Sequence, residues 1–171
     1  AGAGKRVLRL KGGDPFLFGR GGDEALALTR AGVPFRVLPG VTAASGAAAA
    51  AVIPTTMRGV NKAIILVTGH AAASDDDVDW AALAASGQPM VIYMGLRNLP
   101  LITAALLAGG LDPATPAAAV MSATLPDQKV VVSTLGAIAG AVARAGLHAP
   151  SLIFIGDIVD LRAQLLPALA P

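Results

Sequence analysis

The chain contains no cysteine. Disulfides, iron–sulfur clusters and thiolate zinc sites are excluded with it. Histidine is nearly as scarce. His70 and His148 are the two present, without the H-E-x-x-H spacing of a helical zinc site, and no metal is expected. Aromatic residues make up 4% of the chain and charged residues 14%, with a formal net charge of +2. No basic stripe with interleaved aromatics stands out, so no nucleic-acid partner is expected. No segment reaches the ~20 uninterrupted apolar residues that a membrane helix needs. The alanine-rich run from Ala47 to Ile53 is too short and stops at Pro54. Neither a signal peptide nor a transit peptide is visible, which sets the expectation at cytoplasmic, with no membrane partner.

What the chain has is apolar bulk. Hydrophobic residues are 54% of it, much of that alanine, enough for a closely packed core. Strand-like and helix-like segments alternate. Val7–Leu10, Phe35–Leu38, Ala63–Thr68, Met90–Tyr93, Ala117–Met121, Lys129–Ser133 and Leu152–Ile155 read as strands. Asp23–Arg30, a segment from about Thr42 to Pro54, Asp79 to near Gly87, Leu99–Leu107 and Leu135–Ala145 read as helices, and a short helical tail follows. The alternation predicts an α/β fold with a largely parallel sheet, and the close pair at 117–121 and 129–133 predicts a hairpin that makes the second sheet mixed. The loop Pro54-Thr55-Thr56-Met57-Arg58-Gly59 is the best boundary, giving domains 1–56 and 57–171. Asp75-Asp76-Asp77 reads as a solvated loop that caps the next helix rather than as a cation site.

The most informative stretch is Arg9-Leu10-Lys11-Gly12-Gly13-Asp14-Pro15-Phe16-Leu17-Phe18-Gly19-Arg20-Gly21-Gly22. An apolar strand runs into a loop with repeated glycines, a carboxylate and cations. Loops at strand ends of an open α/β sheet hold ligands on a rigid frame. Glycines let the backbone turn sharply or approach a ligand closely. A tight strand-to-helix turn with no ligand competes with that reading.

These residues resemble the signature loop of the tetrapyrrole methylases, and among them the group that C-methylates uroporphyrinogen III. The similarity continues through Pro39-Gly40-Val41-Thr42-Ala43-Ala44, Val67-Thr68-Gly69-His70, Asp79-Trp80-Ala81-Ala82-Leu83, Val91 to Leu99 and Ile153 to Val159. The resemblance implies two αβα domains with a ligand cleft between them. It also implies S-adenosylmethionine as cofactor, S-adenosylhomocysteine as product, and two methyl transfers giving precorrin-2 for sirohaem or cobalamin. A homodimer is implied as well. Family chains begin with a strand and a Gly-x-Gly-Pro-Gly-Asp-Pro loop that this sequence does not contain. The first domain is therefore expected to be incomplete here, with apolar sheet edges exposed. The proposed acid and base lie in that preceding part, so no catalytic residue is named.

The resemblance assigns Gly12, Gly13 and Asp14 to the cofactor loop, with Leu17 one turn on. Thr42 and Ala43 match a second contact, and for Thr42 a plain helix N-cap competes or coexists. Met94 matches an adenine-side contact, although a Met after a strand also fills cores. Ala123 stands where the family has glycine before the threonine that is Thr124 here, and Met57 stands where it usually has histidine. For Asp14 a turn carboxylate is the competing role. Uroporphyrinogen carries eight carboxylates, which suit arginine forks. Arg20, unobstructed among glycines, is the leading candidate for binding it; Arg58 and Arg97 are weaker, and for both an ordinary surface cation is the competing role. Lys11 is expected to be shielded inside the loop, and His70 to be structural. Two alternatives stand beside this one: another precorrin methylase of the same fold, and a non-catalytic fragment.

Overall fold

The computed structural model describes residues 1–70 and 78–168. The chain divides into two compact units, Ala1–Ala43 and Ala44–Pro171. The acidic run at 75–77 lies outside the described residues.

In the first unit one helix forms, α1 (Gly21–Arg30). Asp23 and Glu24 occupy its first turn and Arg30 its last, which complements the helix dipole at both ends. It stops at Gly32, whose φ of +64° lets the Val33 N–H reach back to the Leu28 carbonyl. The segments expected as strands, Val7–Leu10 and Phe35–Leu38, do not form strands. Both segments are irregular, because a strand exists only where a neighbour takes its backbone hydrogen bonds, and among the described residues neither segment is paired. Their apolar side chains face outward; Leu8 is 78% exposed and Leu38 65%.

The second unit is a five-stranded sheet with helices. Its strands are β1 (Ile65–Thr68), β2 (Met90–Tyr93), β3 (Pro116–Met121), β4 (Lys129–Thr134) and β5 (Ser151–Ile155), in the order β1-β2-β5-β3-β4. β1 and β2 pair in parallel. β5 inserts between β2 and β3 and runs antiparallel to both, and β4 closes the edge as the expected hairpin with β3. The sheet is thus mixed, but most of its pairings are antiparallel rather than parallel. The cause is the insertion of β5 between two strands that point the same way. The strands β1, β2 and β3 consequently present their carboxyl ends at one edge of the sheet.

Residues on alternating faces of the central strands are buried. Met90, Ile92, Ala117, Ala119, Ile153 and Ile155 share a core with Trp80 and Ala84 of α3 (Trp80–Ala85), Leu99, Ile102 and Leu106 of α4 (Leu99–Ala108), and Ile138 and Val142 of α5 (Ile138–Arg144). On the opposite face Val91, Phe154 and Ala118 align across three strands and are fully buried. Asp79 caps α3 by accepting the Ala82 N–H at 2.9 Å.

The alanine-rich helix α2 (Ala43–Ala51) belongs almost wholly to the second unit. Its last four carbonyls have no partner within the helix, and all four find one elsewhere. Ala48 and Ala49 accept from Ile53 and Val52, Ala50 from Gln128, and Ala51 from Arg162. Val52 takes a left-handed φ of 56° to close this end, before Pro54. The tail carries α6 (Leu161–Leu165) and a 3-10 turn at Leu166–Ala168, as expected for a short helical segment.

Candidate functional site

In the first unit the loop after Leu10 folds back on itself around Asp14. Asp14 Oδ1 accepts the Phe16 N–H at 2.9 Å, and Oδ2 accepts the Gly40 N–H at 3.1 Å. The Gly40 contact first, then that of Phe16, holds the carboxyl below the ordinary carboxylate value. Asp14 therefore pins the Gly12–Gly13 turn to Pro39–Gly40, and in doing so brings it beside the residues that lead into Thr42. The approach is backbone on backbone: a Cβ on Gly40 would lie 2.5 Å from the Gly13 carbonyl oxygen. Gly12 by contrast is exposed and has open space at that position. Leu17 is half-buried.

Lys11 is half-buried as expected, its ammonium 2.8 Å from Glu24 Oε1, and Arg9 meets the same oxygen at 3.1 Å. The hydrogen bond from Lys11, with the charges of Arg9 and Lys11, lowers the Glu24 pKa. Phe18 and Arg20 take left-handed φ values of 51° and 57°, a conformation that non-glycine residues adopt under constraint. The Arg20 guanidinium is exposed at the start of α1. Thr42 is half-buried and immediately precedes α2, the N-cap position, and Ala43 opens that helix.

In the second unit the carboxyl ends of β1, β2 and β3 carry the remaining predicted residues. Met94 follows β2 with φ 53° and leaves half its surface exposed, which a core-filling Met would not do. Ser122 (φ 48°) and Thr124 (φ 71°) follow β3 and flank Ala123. Ala123 itself avoids the left-handed region, so its Cβ brings no backbone strain. Met94 and Ala123 lie on the same sheet edge, with β5 between their strands, a separation of about 10 Å across two strand spacings. Gly69 ends β1 against the Met94–Gly95 turn, where an added Cβ would lie 2.6 Å from Gly95 Cα. His70, Arg58, Met57 and Arg97 are exposed. A concavity of about 510 Å³ is lined by Lys62, Pro89, Thr115 and Asp157, at the opposite edge of the sheet from Met94.

Three side chains that the sequence did not single out hold these turns. Tyr93 Oη accepts the Ala44 N–H at 2.9 Å. Asn98 Nδ2 donates to the carbonyls of Gly69 at 2.7 Å and His70 at 3.3 Å. Gln128 Oε1 accepts the Thr124 N–H at 2.7 Å. The one local signal was Asn98 ahead of Leu99-Pro100, which reads as an N-cap; its side chain makes no cap bond and reaches back to β1 instead.

Residues 1–139 match the model of the Tetrapyrrole (Corrin/Porphyrin) Methylases. The chain belongs to the tetrapyrrole methylases. It is 51% identical over 162 residues to a siroheme synthase of Stutzerimonas stutzeri (strain A1501), covering 95% of this chain and 35% of that protein. It is 47% identical over 165 residues to a uroporphyrinogen-III C-methyltransferase of Sinorhizobium sp, covering 95% of this chain and 59% of the relative. Among solved structures, it is similar to the uroporphyrin-III C-methyl transferase of Thermus thermophilus complexed with S-adenyl homocysteine. There the TM-score is 0.79 and the identity 35%, over 93% of this chain and 69% of the other. The chain thus spans about a third of the length of the siroheme synthase it matches. Among the described residues no group of three or more His, Asp or Glu is placed to hold a metal ion, and no helix is long and apolar enough to cross a membrane.

Proposed function

We propose that this tetrapyrrole methylase takes part in the S-adenosylmethionine-dependent C-methylation of uroporphyrinogen III, with two methyl transfers giving precorrin-2 for sirohaem or cobalamin. The observation that carries the proposal is backbone geometry. Met94 and Thr124, non-glycine residues in left-handed conformations, stand at or beside the positions that the resemblance assigns to the cofactor. Strain of this kind is retained where the surroundings over-determine it, which happens at ligand-binding turns. The similarity to a methyltransferase solved with S-adenyl homocysteine supports the same cofactor here.

The residues present fit such a group. Gly12 is open and exposed beside a carboxylate-pinned turn, and Met94 offers an exposed thioether. Gly12, Gly13, Asp14, Leu17, Thr42, Ala43, Met94 and Ala123 are the proposed cofactor contacts. The bound cofactor would supply an electrophilic methyl group on sulfur. The chain's own work is positioning, since in-line methyl transfer to an electron-rich ring carbon gains most from orientation. Asp14 holds the loop that approaches the cofactor, and Arg20 and Arg58 offer guanidinium forks to substrate carboxylates. A cytoplasmic homodimer is part of the same proposal.

The test is incubation of the full-length protein with uroporphyrinogen III and methyl-labelled S-adenosylmethionine. Two labelled methyls per tetrapyrrole are expected. Turnover of a later precorrin but not of uroporphyrinogen III would replace this substrate with another in the family.

A further inference from the structure

The turn between β3 and β4 holds a backbone conformation that its own residues disfavour. Ser122 and Thr124 are both left-handed, and threonine is β-branched, so Thr124 stays at φ 71° only with outside support. The support comes from one side chain. Gln128 Oε1 accepts the Thr124 N–H at 2.7 Å, while its Nε2 donates to the Ala50 carbonyl of α2 at 3.1 Å. Two tight turns return Gln128 to this position, with Leu125 N–H bonded to Ser122 and Gln128 N–H bonded to Leu125, each at 3.0 Å. Both ends of the amide are used, and only one orientation satisfies an N–H and a carbonyl together. The bond to Ala50 is partly buried and the bond to Thr124 is exposed, so the Ala50 end is the better shielded of the two.

We propose that Gln128 is a positioning residue for the cofactor: it clamps the Ala123–Thr124 turn to the end of α2 and so fixes how the Ala123 backbone is presented. This rests on the assignment of Ala123 as a cofactor contact. Gln128 touches no reacting atom. Its effect falls on affinity, because a turn free to leave the left-handed conformation must be re-ordered at each binding event.

The experiment uses the full-length protein with Gln128→Met, of similar shape but without the amide, and Gln128→Glu, which still accepts the Thr124 N–H. Three quantities are read: backbone exchange at Thr124, affinity for S-adenosylhomocysteine, and KM against kcat. In Gln128→Met, Thr124 exchange is expected to rise about tenfold and affinity to fall about tenfold, the effect of one lost hydrogen bond. The value of kcat at saturating cofactor stays within about twofold of the unsubstituted protein. Gln128→Glu keeps the acceptor for Thr124 but loses the donor to Ala50 and turns a carboxylate oxygen toward that carbonyl, so its turn is no longer tied to α2 and its affinity also falls. Unchanged Thr124 exchange in Gln128→Met overturns the clamp. Faster exchange with unchanged affinity overturns the positioning role. Failure of the unsubstituted protein to bind S-adenosylhomocysteine overturns the cofactor assignment itself, while Thr124 exchange still reports on the clamp.

Discussion

The phenol oxygen of Tyr93 accepts the backbone N–H of Ala44 at 2.9 Å in a buried setting. The donor is in the first turn of α2, where backbone N–H groups have no partner inside the helix. The acceptor is the last residue of β2, directly before the strained Met94. One side chain therefore satisfies a helix terminus and ties it to a strand end. Tyr93→Phe removes the acceptor and leaves the Ala44 N–H without its buried partner. The expected cost is about 1–3 kcal/mol, with a Tm decrease of roughly 2–4 °C per kcal/mol. Thermal unfolding of the two proteins side by side checks it, and an unchanged Tm would show that water replaces the phenol.

Gly12 and Gly40 separate binding from folding. A Cβ on Gly40 would press on the Gly13 carbonyl carbon and oxygen at 2.8 and 2.5 Å, and backbone cannot swing aside. Gly40→Ala is therefore expected to destabilise the first unit by about 1–3 kcal/mol. Gly12→Ala meets no atom within 4 Å, so stability should stay within about 0.5 kcal/mol. If Gly12 faces the cofactor as proposed, the same methyl group weakens S-adenosylhomocysteine binding. Calorimetric titration and a melting curve on each variant separate the two effects. Equal affinity in Gly12→Ala would remove that residue from the cofactor site.

How far the fold could be read from sequence follows from which interactions are local. The strands of the second unit were legible because apolar runs such as Met90–Tyr93 are bounded by turn residues and buried on both faces. The same pattern misled at Val7–Leu10 and Phe35–Leu38, where strand-like residues have no pairing partner among the described residues. The direction of β5 was not legible, since nothing in Leu152–Ile155 says that it inserts antiparallel between β2 and β3. At the candidate site, the Lys11–Gly22 loop announced itself through glycine and charge. Tyr93, Asn98 and Gln128 did not, because each acts on backbone far away in the chain and a lone polar residue carries no trace of its distant partner.

The Asp14 loop should open in acid. The carboxyls of Asp14 and Glu24 both titrate below their ordinary values in the folded chain. A carboxyl with a depressed folded pKa binds fewer protons folded than unfolded. Its stabilisation is therefore complete above the unfolded values, about 3.9 for Asp and 4.3 for Glu, and is lost as pH falls through the lower folded ones. The amide signals of Phe16 and Gly40, whose N–H groups Asp14 accepts, should hold steady above about pH 5 and shift below about pH 4. In Asp14→Asn at least one of these bonds is lost at every pH, because an amide nitrogen cannot accept. A Gly40 signal indifferent to acid in the unsubstituted protein would mean that Asp14 does not hold this loop.

Asn98 gives a charge-based test of how the end of β1 is fixed. Its amide donates to the carbonyls of Gly69 and His70, so two oxygens converge on the one nitrogen. Asn98→Ala removes the donor at an expected cost of about 1 kcal/mol. Asn98→Asp is nearly isosteric but sets a carboxylate against those same oxygens. It should cost more, about 2–3 kcal/mol near pH 7. The facing carbonyls raise the folded pKa of the introduced carboxyl above the ordinary value of about 3.9, so the folded state binds the extra proton and stability recovers as pH falls through that raised value. Denaturant unfolding of the Asp and Ala variants at about pH 7 and about pH 5 measures the difference directly. The gap between them should narrow at the lower pH. A gap that is absent at pH 7, or that does not change with pH, would mean that the Gly69–His70 turn moves away from residue 98 and is held by packing against Gly95 and Ile102 alone.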